Sequence, residues 1–227
     1  MNGKDLLQGM NYVDEKYVAE AECGKKAMSV KVSWLRQIAL AACVIILVSG
    51  VAVNYSMKQY QYNHRLSGEE IAELRQQYPM YGKKFPELAA IVWFSFEDVL
   101  KMADTVIYGE VTGDYEVYEG DVAEWYEYPV SVIEDTKGLL SKEEQISINH
   151  TALLKEYYGE LSEGMKIIVP VIKEKNGTNR YNYNVIGMYY VTEEGYVISA
   201  YDEESRADKV YSGMYVERFL KELRELD

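Results

Sequence analysis

A run of 21 residues without a charged side chain, Gln37–Met57, is the feature that most constrains how this chain folds. Between Ile38 and Val53 the run is almost wholly apolar. A helix rises ~1.5 Å per residue, so the run extends over ~31 Å and is long enough to cross a hydrocarbon core of ~30 Å. The sequence therefore predicts a stub over 1–36, a transmembrane helix over 37–57 and a large domain after it.

The residues that flank the run predict its orientation. Four basic residues precede it with no acidic residue among them: Lys25, Lys26, Lys31 and Arg36. Cytoplasmic flanks of membrane helices are rich in Lys and Arg, so we expect the N-terminus in the cytoplasm and the C-terminal domain outside. Trp34, Arg36 and Tyr55 are expected at the membrane interface, where aromatic and basic side chains anchor a span.

Two other kinds of apolar segment fit the run less well than a span. A cleaved signal peptide begins with a short basic region, whereas here 36 residues that include several acids come first. Leu40–Cys43 has the shape of a lipidation site, but most of the apolar residues follow Cys43 instead of preceding it. An uncleaved, single-pass anchor in the cell membrane is therefore the favoured interpretation.

The stub contains one amphipathic pattern. Leu6, Met10, Val13 and Tyr17 recur at the spacing of one helix face. A lone helix of this length is marginally stable in water, so the face predicts a cytoplasmic protein partner. The alternative is a disordered tail without a function.

The charge of the outer part excludes one class of ligand. From Lys58 onward the chain has 18 Lys and Arg against 32 Asp and Glu, a formal charge of 18 − 32 = −14. Nucleic-acid binding depends on basic side chains that neutralise phosphates. We therefore expect that the outer part does not bind nucleic acid. The ligand that we expect it to bind is an unidentified component of the cell envelope.

Helix signals divide the outer part into a stalk over 58–92 and a domain over 93–227. Ser67-Gly68-Glu69-Glu70 has the spacing of a capping box and predicts a short helix in the stalk. Ser95–Asp98 predicts a second helix at the start of the domain. An apolar stripe over Met214–Leu226 predicts a C-terminal helix.

Between the last two helices the pattern alternates with a period of two and predicts strands. The predicted segments are Thr105–Tyr118, Val122–Asp135, Gln145–His150, Met165–Lys173, Arg180–Val191 and Tyr196–Tyr201, with a helix over Thr151–Leu161. Turns are predicted at Gly120-Asp121, Asn176-Gly177 and Glu194-Gly195. Three strands, a helix and further strands predict an OB-like barrel in a mainly-β, α+β domain. The alternative is a β-sandwich with peripheral helices.

No motif in the chain predicts chemistry. His64 and His150 are the only histidines, and neither has a Cys or a second His at ligand spacing, so both are expected on the surface or at caps. Acidic side chains are numerous enough that a pair such as Glu110 and Glu127 arises by chance. We therefore expect no catalytic residue, no cofactor and no metal site.

Two stretches carry a resemblance to a known class of proteins. Leu6–Ala21, followed by the lysines, Trp34 and the Ala-rich span, resembles the front end of single-span surface proteins of Gram-positive anaerobes, some of them anti-sigma-factor-like. Phe94–Asp98, Ala103–Val111 and Thr136-Lys137-Gly138 are similar to a poorly characterised extracellular β-domain on such anchors. The resemblance implies a sigma factor as a partner, although the stub lacks the His-x-x-x-Cys-x-x-Cys zinc ligands.

Together these patterns predict a membrane-anchored extracytoplasmic protein that binds or senses a ligand and signals inward through its stub. The first alternative is a membrane-tethered envelope enzyme that uses carboxylates. The second is an inert structural surface protein.

Overall fold

A computed structural model describes residues 49–79, 94–119, 124–151, 159–175 and 179–226. The chain divides into two compact units, Met1–Gln59 and Tyr60–Asp227. Within the first unit, residues 49–59 are described, and they are helical with exposed side chains. The exposed fractions of Val51 and Tyr55 are 71% and 70%. Residues 37–48 of the predicted span lie outside the described residues, and none of the described helices is both long and apolar enough to cross a bilayer.

The second unit is built on one eight-stranded sheet. Its strands are β1 (Thr105–Val111), β2 (Glu116–Glu119), β3 (Glu124–Asp135), β4 (Gln145–Thr151), β5 (Lys166–Lys173), β6 (Arg180–Tyr183), β7 (Tyr189–Val191) and β8 (Val197–Ser199). Five of them close a barrel in the order β1-β3-β4-β6-β5-β1, where only β4 and β6 run parallel. A mainly-β, α+β domain with a barrel is confirmed. The β-sandwich alternative is wrong, because a single sheet closes on itself.

Alternation of side chains explains the barrel wall. In β3, Tyr126, Tyr128 and Val130 are buried in the core, and the residues between them are partly exposed. Successive side chains of a strand point to opposite faces, so β3 presents one apolar face to the interior and one polar face to the outside. Pro129 and Pro170 both pair within the sheet. Pro170 lies where the partner of β5 changes from β6 to β7, so its missing N–H interrupts neither ladder.

A bulge interrupts the pairing of β1 with β3, and its extra residue, Ile133, lies in β3. The register between β1 and β3 shifts between Tyr108 and Gly109. A Cβ atom at Gly109 would lie 2.5 Å from Cγ1 of Val130, so only glycine permits this close approach of the strands. Bulges bend a strand and increase its twist, and this one lies where β1 pairs with both β3 and β5.

Among the described residues after 64, three helices accompany the sheet, and all three were predicted. They are α1 (Gly68–Arg75), α2 (Phe96–Met102) and α3 (Val216–Leu226). Ser67 and Ser95 cap α1 and α2 in capping boxes with Glu70 and Asp98, and the hydrogen bonds from these serines lower the pKa of both carboxyls. The apolar stripe of α3 is buried, and Phe219 is 4.5 Å from Tyr189 between ring centroids.

Two predicted strands are each two strands in the structure. Thr105–Tyr118 separates into β1 and β2, and Arg180–Val191 into β6 and β7. The second break is a turn in which Oδ1 of Asn184 accepts a hydrogen bond from the Ile186 N–H, followed by Gly187 at a φ of +96°. Such turns depend on a side chain that folds back onto its own backbone, and the period-two pattern does not reveal it.

The predicted turns are described in part. β7 and β8 pair across Glu194-Gly195 as predicted. Gly195 has a φ of +87°, a backbone conformation that is strained for any residue with a Cβ atom. β2 pairs with β3, and β5 pairs with β6, as the two other predicted hairpins require. The tips at 120–123 and 176–178, and residues 152–158 of the predicted helix, lie outside the described residues.

The segment before α1 is bound to the loop that precedes α3. The Leu66 N–H donates to the Gly213 carbonyl at 3.0 Å, and the Arg65 guanidinium donates to the carbonyls of Val210 and Ser212. After α1, Tyr78 stacks on Tyr190 with 5.0 Å between ring centroids. The part of the predicted stalk over 60–78 is therefore packed on the domain.

Candidate binding face on the barrel

One face of the barrel combines polar and aromatic side chains. It consists of the outward positions of β2, β3, β4 and β6, and we call it the outer face. Its residues are Tyr118 from β2, Trp125, Glu127 and Pro129 from β3, Gln145, Ser147 and Asn149 from β4, and Arg180 and Asn182 from β6. The strand registers place them in adjacent rows, because Glu127 pairs with Asn149, and Asn149 pairs with Asn182.

Two aromatic rings lie side by side at one end of the outer face. Tyr118 and Trp125 are register partners, with ring centroids 6.4 Å apart and planes 11° from parallel. Both side chains are partly exposed. The Arg180 guanidinium lies over the Tyr118 ring at 4.4 Å from its centroid, a cation–π contact that holds the ring in place.

An ion pair joins β3 to β6 across β4. Nη2 of Arg180 lies 3.0 Å from Oε2 of Glu127, and its Nε donates to Oε1 at 3.2 Å. The geometry is bidentate, which is the strong form of an arginine–carboxylate contact. This hydrogen bond to Glu127 raises the pKa of Arg180. The pair fixes the position of both side chains in the middle of the face.

Asn149 is the most buried polar residue of the outer face. Its side chain is fully covered, and its Nδ2 donates to the Tyr118 hydroxyl at 3.2 Å and to Oε1 of Glu174 at 2.6 Å. An ionised carboxylate only accepts, so the bond to Glu174 fixes which end of the amide is nitrogen. Oδ1 of Asn149 then has no donor among the described residues. Burial, with the nearby Glu174 carboxylate, raises the pKa of Tyr118 and keeps it neutral.

A cleft of about 410 Å³ opens on the same face. Its lining is formed by Glu127, Pro129, Gln145, Ile146, Ser147, Asn179 and Arg180. A carboxylate, two amides, a hydroxyl and a guanidinium thus surround a proline ring. Small-molecule sites combine a few placed polar groups with apolar surface in this manner.

The predicted carboxylate pair is not brought together. Glu110 pairs in register with Ser131, which is four residues along β3 from Glu127. At ~3.3 Å per residue that separation is ~13 Å, which exceeds the spacing of paired catalytic carboxylates. Glu127 is paired with Arg180 instead.

The two histidines have different environments. His150 is 4% exposed and packs against Tyr126 and Tyr128, so the expectation of a surface or capping position is wrong for this residue. Its position in β4 points into the barrel, and burial lowers its pKa. His64 stacks on Tyr60, and its Nδ1 lies 3.4 Å from the Tyr196 hydroxyl.

Among the described residues, no group of three or more His, Cys, Asp or Glu is arranged to hold a metal.

The residues predicted to bind partners are mostly outside the described ranges. This applies to Leu6, Met10, Val13 and Tyr17 of the stub and to Trp34 and Arg36 of the membrane interface. Tyr55 lies in the helical part of the first unit with its ring exposed.

A second polar cluster lies in the domain interior, and its centre is Glu203. This carboxylate is 1% exposed and accepts hydrogen bonds from the Tyr189 hydroxyl and from the backbone N–H groups of Tyr211 and Ser212. The Tyr189 hydroxyl also lies 2.9 Å from that of Tyr201, and burial raises the pKa of both phenols. Both carboxylate oxygens of Glu203 have donors, so this cluster is structural.

Sequence reasoning found neither Asn149 nor Glu203. The available signal for Asn149 was the polar half of the alternation in β4, Gln145-Ile146-Ser147-Ile148-Asn149, which marks an outward row. Glu203 lies in a segment without regular pattern, and no signal distinguishes it from its exposed neighbours Asp202 and Glu204.

A scan against models of known protein families gives no match to this chain, and a search of curated proteins finds no relative.

Proposed function

We propose that this chain is a membrane-anchored extracytoplasmic binding protein that presents the outer face of its barrel to a ligand of the cell envelope. The observation that supports this is the combination, on one rigid sheet, of the Tyr118–Trp125 aromatic pair with the polar cleft beside it. Both features are fixed by strand pairing, and Glu127 and Arg180 hold each other in place between them. A site built on strands is preorganised, which lowers the entropic cost of binding.

The type of barrel supports the same surface. We propose that it is OB-like, because β1, β3, β4, β5 and β6 form a closed five-stranded barrel. OB-folds bind ligands over their second and third strands and the adjoining loops. Those strands correspond here to β3 and β4, and the adjoining connections are the one from β1 to β3, which contains β2, and the one from β5 to β6. This argument is an analogy of fold, and the side chains of the outer face provide the independent support.

The location and the inward signal come from the sequence. The uncharged run over 37–57 and the basic flank before it support a single span with the N-terminus in the cytoplasm. The stub face of Leu6, Met10, Val13 and Tyr17 supports a cytoplasmic partner, and the resemblance of the stub suggests a sigma factor. Ligand binding outside would then be reported to transcription inside.

Sedimentation with isolated cell envelopes tests the binding function. The full-length chain in a mild detergent should sediment with envelope material, and Trp125→Ala should abolish this. Leu139→Ala is the matched control, because Leu139 is a large apolar residue with 65% exposure that is not part of the outer face. Equal sedimentation of both variants and the unaltered chain would exclude the outer face as the site.

Removal of the stub tests the signalling function. Cells that carry the chain without residues 1–21 should differ in their transcripts from cells with the full chain, because the proposed partner contact is lost. The replacement of Leu6 and Met10 by Asp should give the same change if that face is responsible. An unchanged transcriptome in both strains would reject inward signalling and leave envelope binding untouched.

A further inference from the structure

We infer that the ligand of the outer face is a neutral oligosaccharide, which lies along β3 with one sugar ring on Trp125 and its hydroxyl groups in the polar cleft. This inference rests on the proposed function, since it names the chemical class of ligand for the same surface. Three properties of the face lead to it: the aromatic pair, the hydrogen-bonding groups of the cleft and the sign of the charge.

The aromatic pair supplies a flat apolar surface next to polar groups. Trp125 and Tyr118 are partly exposed and nearly parallel, and Arg180 covers part of the Tyr118 ring. Aromatic rings interact through their faces, and a sugar ring offers a matching face of C–H groups. Trp125, Glu127 and Pro129 alternate along β3 and extend over ~13 Å at ~3.3 Å per residue, so the ligand is longer than one ring.

The polar groups of the face match hydroxyl groups. A hydroxyl both donates and accepts, and the cleft offers carboxylate and amide oxygens together with the amide nitrogens of Gln145 and Asn179.

The charges around the face disfavour an anionic ligand. Glu116 faces Glu127 in the β2–β3 register. The central cation, Arg180, is already occupied, because Glu127 binds it through two nitrogens. A phosphate chain in the cleft therefore meets the Glu127 carboxylate and, among the described residues that line the cleft, no cation other than the paired Arg180, whereas a neutral sugar meets no repulsion.

Calorimetric titration of the full-length chain with four probes tests the inference. The probes are triacetylchitotriose and cellotriose as neutral oligosaccharides, a twelve-residue oligothymidylate as a nucleic acid and a polyglycerol phosphate as an anionic envelope polymer. We expect binding of at least one neutral sugar and no binding of either anion. Binding of an anion without a sugar, or of no probe, overturns the inference.

Variants locate the binding on the face. Trp125→Ala should weaken sugar binding about tenfold or more, which corresponds to about 1.4 kcal/mol. Gln145→Ala, an exposed position in the cleft, provides a second variant in case Trp125→Ala fails to fold, and it should also weaken binding. Leu139→Ala should bind as the unaltered chain does. Unchanged affinity in both outer-face variants overturns the assignment.

The two tests fail in different ways. If envelopes bind in a Trp125-dependent manner but no neutral sugar does, the inference about ligand class is wrong and the proposed function stands. If sugars bind at Trp125 but envelopes never sediment the chain, the role at the envelope is wrong instead.

Discussion

The two polar clusters of the domain differ in how completely their hydrogen bonds are satisfied. Around Glu203, which is 1% exposed, both carboxylate oxygens accept hydrogen bonds, from the Tyr189 hydroxyl and from backbone N–H groups of the loop before α3. On the outer face, Oδ1 of Asn149 has no donor among the residues that the structure describes, and Glu127 and Arg180 lie at an open cleft. A closed network fixes one structure, whereas an open one leaves capacity for a ligand. The first cluster therefore explains stability and the second suggests binding.

The sharpest test of this difference is Glu203→Gln. The amide replaces an acceptor with a donor that faces backbone N–H groups, so we expect a loss of about 3 kcal/mol in the free energy of unfolding. Glu204→Gln, at an exposed neighbouring position, should leave stability unchanged. Urea titration of the full chain measures both values. A loss below about 1 kcal/mol for Glu203→Gln would mean that the interior cluster is not structural.

The buried phenols of this cluster predict alkaline instability. Burial raises the pKa of Tyr201 in the folded state above its unfolded value of about 10. Below pH 10 the phenol is protonated in both states, so its contribution to the stability of the fold is fully present. Above pH 10 the unfolded chain ionises first, and stability falls by about 1.4 kcal/mol per pH unit for each such phenol.

Unfolding free energies at pH 9 and pH 11 measure this slope. Tyr201→Phe should reduce the slope by the contribution of one phenol, about 1.4 kcal/mol per pH unit. Tyr55→Phe, at an exposed position of the first unit, serves as the control. An identical slope in the unaltered chain and in Tyr201→Phe would show that Tyr201 does not remain protonated in the folded state.

Arg65 connects the segment before α1 to the loop that Glu203 organises. Its hydrogen bonds to the carbonyls of Val210 and Ser212 are partly exposed, so Arg65→Met should cost about 1 kcal/mol. Amide hydrogen exchange of residues 210–213 should accelerate, because one side of the loop is released. Lys221→Met, on the exposed face of α3, is the control. Unchanged protection in Arg65→Met would show that Glu203 alone holds the loop.

The smallest effect is expected on the outer face. The Glu127–Arg180 pair has side chains that are 16% and 34% exposed, and a double-mutant cycle with Glu127→Gln and Arg180→Gln should give a coupling below about 1 kcal/mol. The same variants should change ligand affinity more than stability. A coupling above about 2 kcal/mol would place this pair with the Glu203 cluster as a structural element.

Local signals predicted the elements of the fold well. Ser67 and Ser95 begin helices as their capping boxes require, and Gly195 turns the β7–β8 hairpin. These features depend on residues three or four positions apart, which the sequence shows directly. The break between β6 and β7 was missed because the side chain of Asn184 determines it.

The candidate site was predicted only in part. The sequence suggests Glu127 only as a chance carboxylate partner of Glu110, and the strand register separates these two residues. Tyr118 and Arg180 are 62 positions apart, and no short-range pattern links them. Their contact exists because β6 pairs with β4 and β2 pairs with β3, and both pairings connect distant parts of the chain.

The sequence by itself determined the uncharged run, the acidic charge of the outer part, the helix caps and the alternation that makes strands. These are properties of composition and of neighbours along the chain. Only the tertiary structure decided that β1 closes on β5, that β4 and β6 run parallel and that Glu203 is buried while Glu204 is exposed. Burial and strand pairing depend on which distant segments meet, and that is settled by the packing of the whole core.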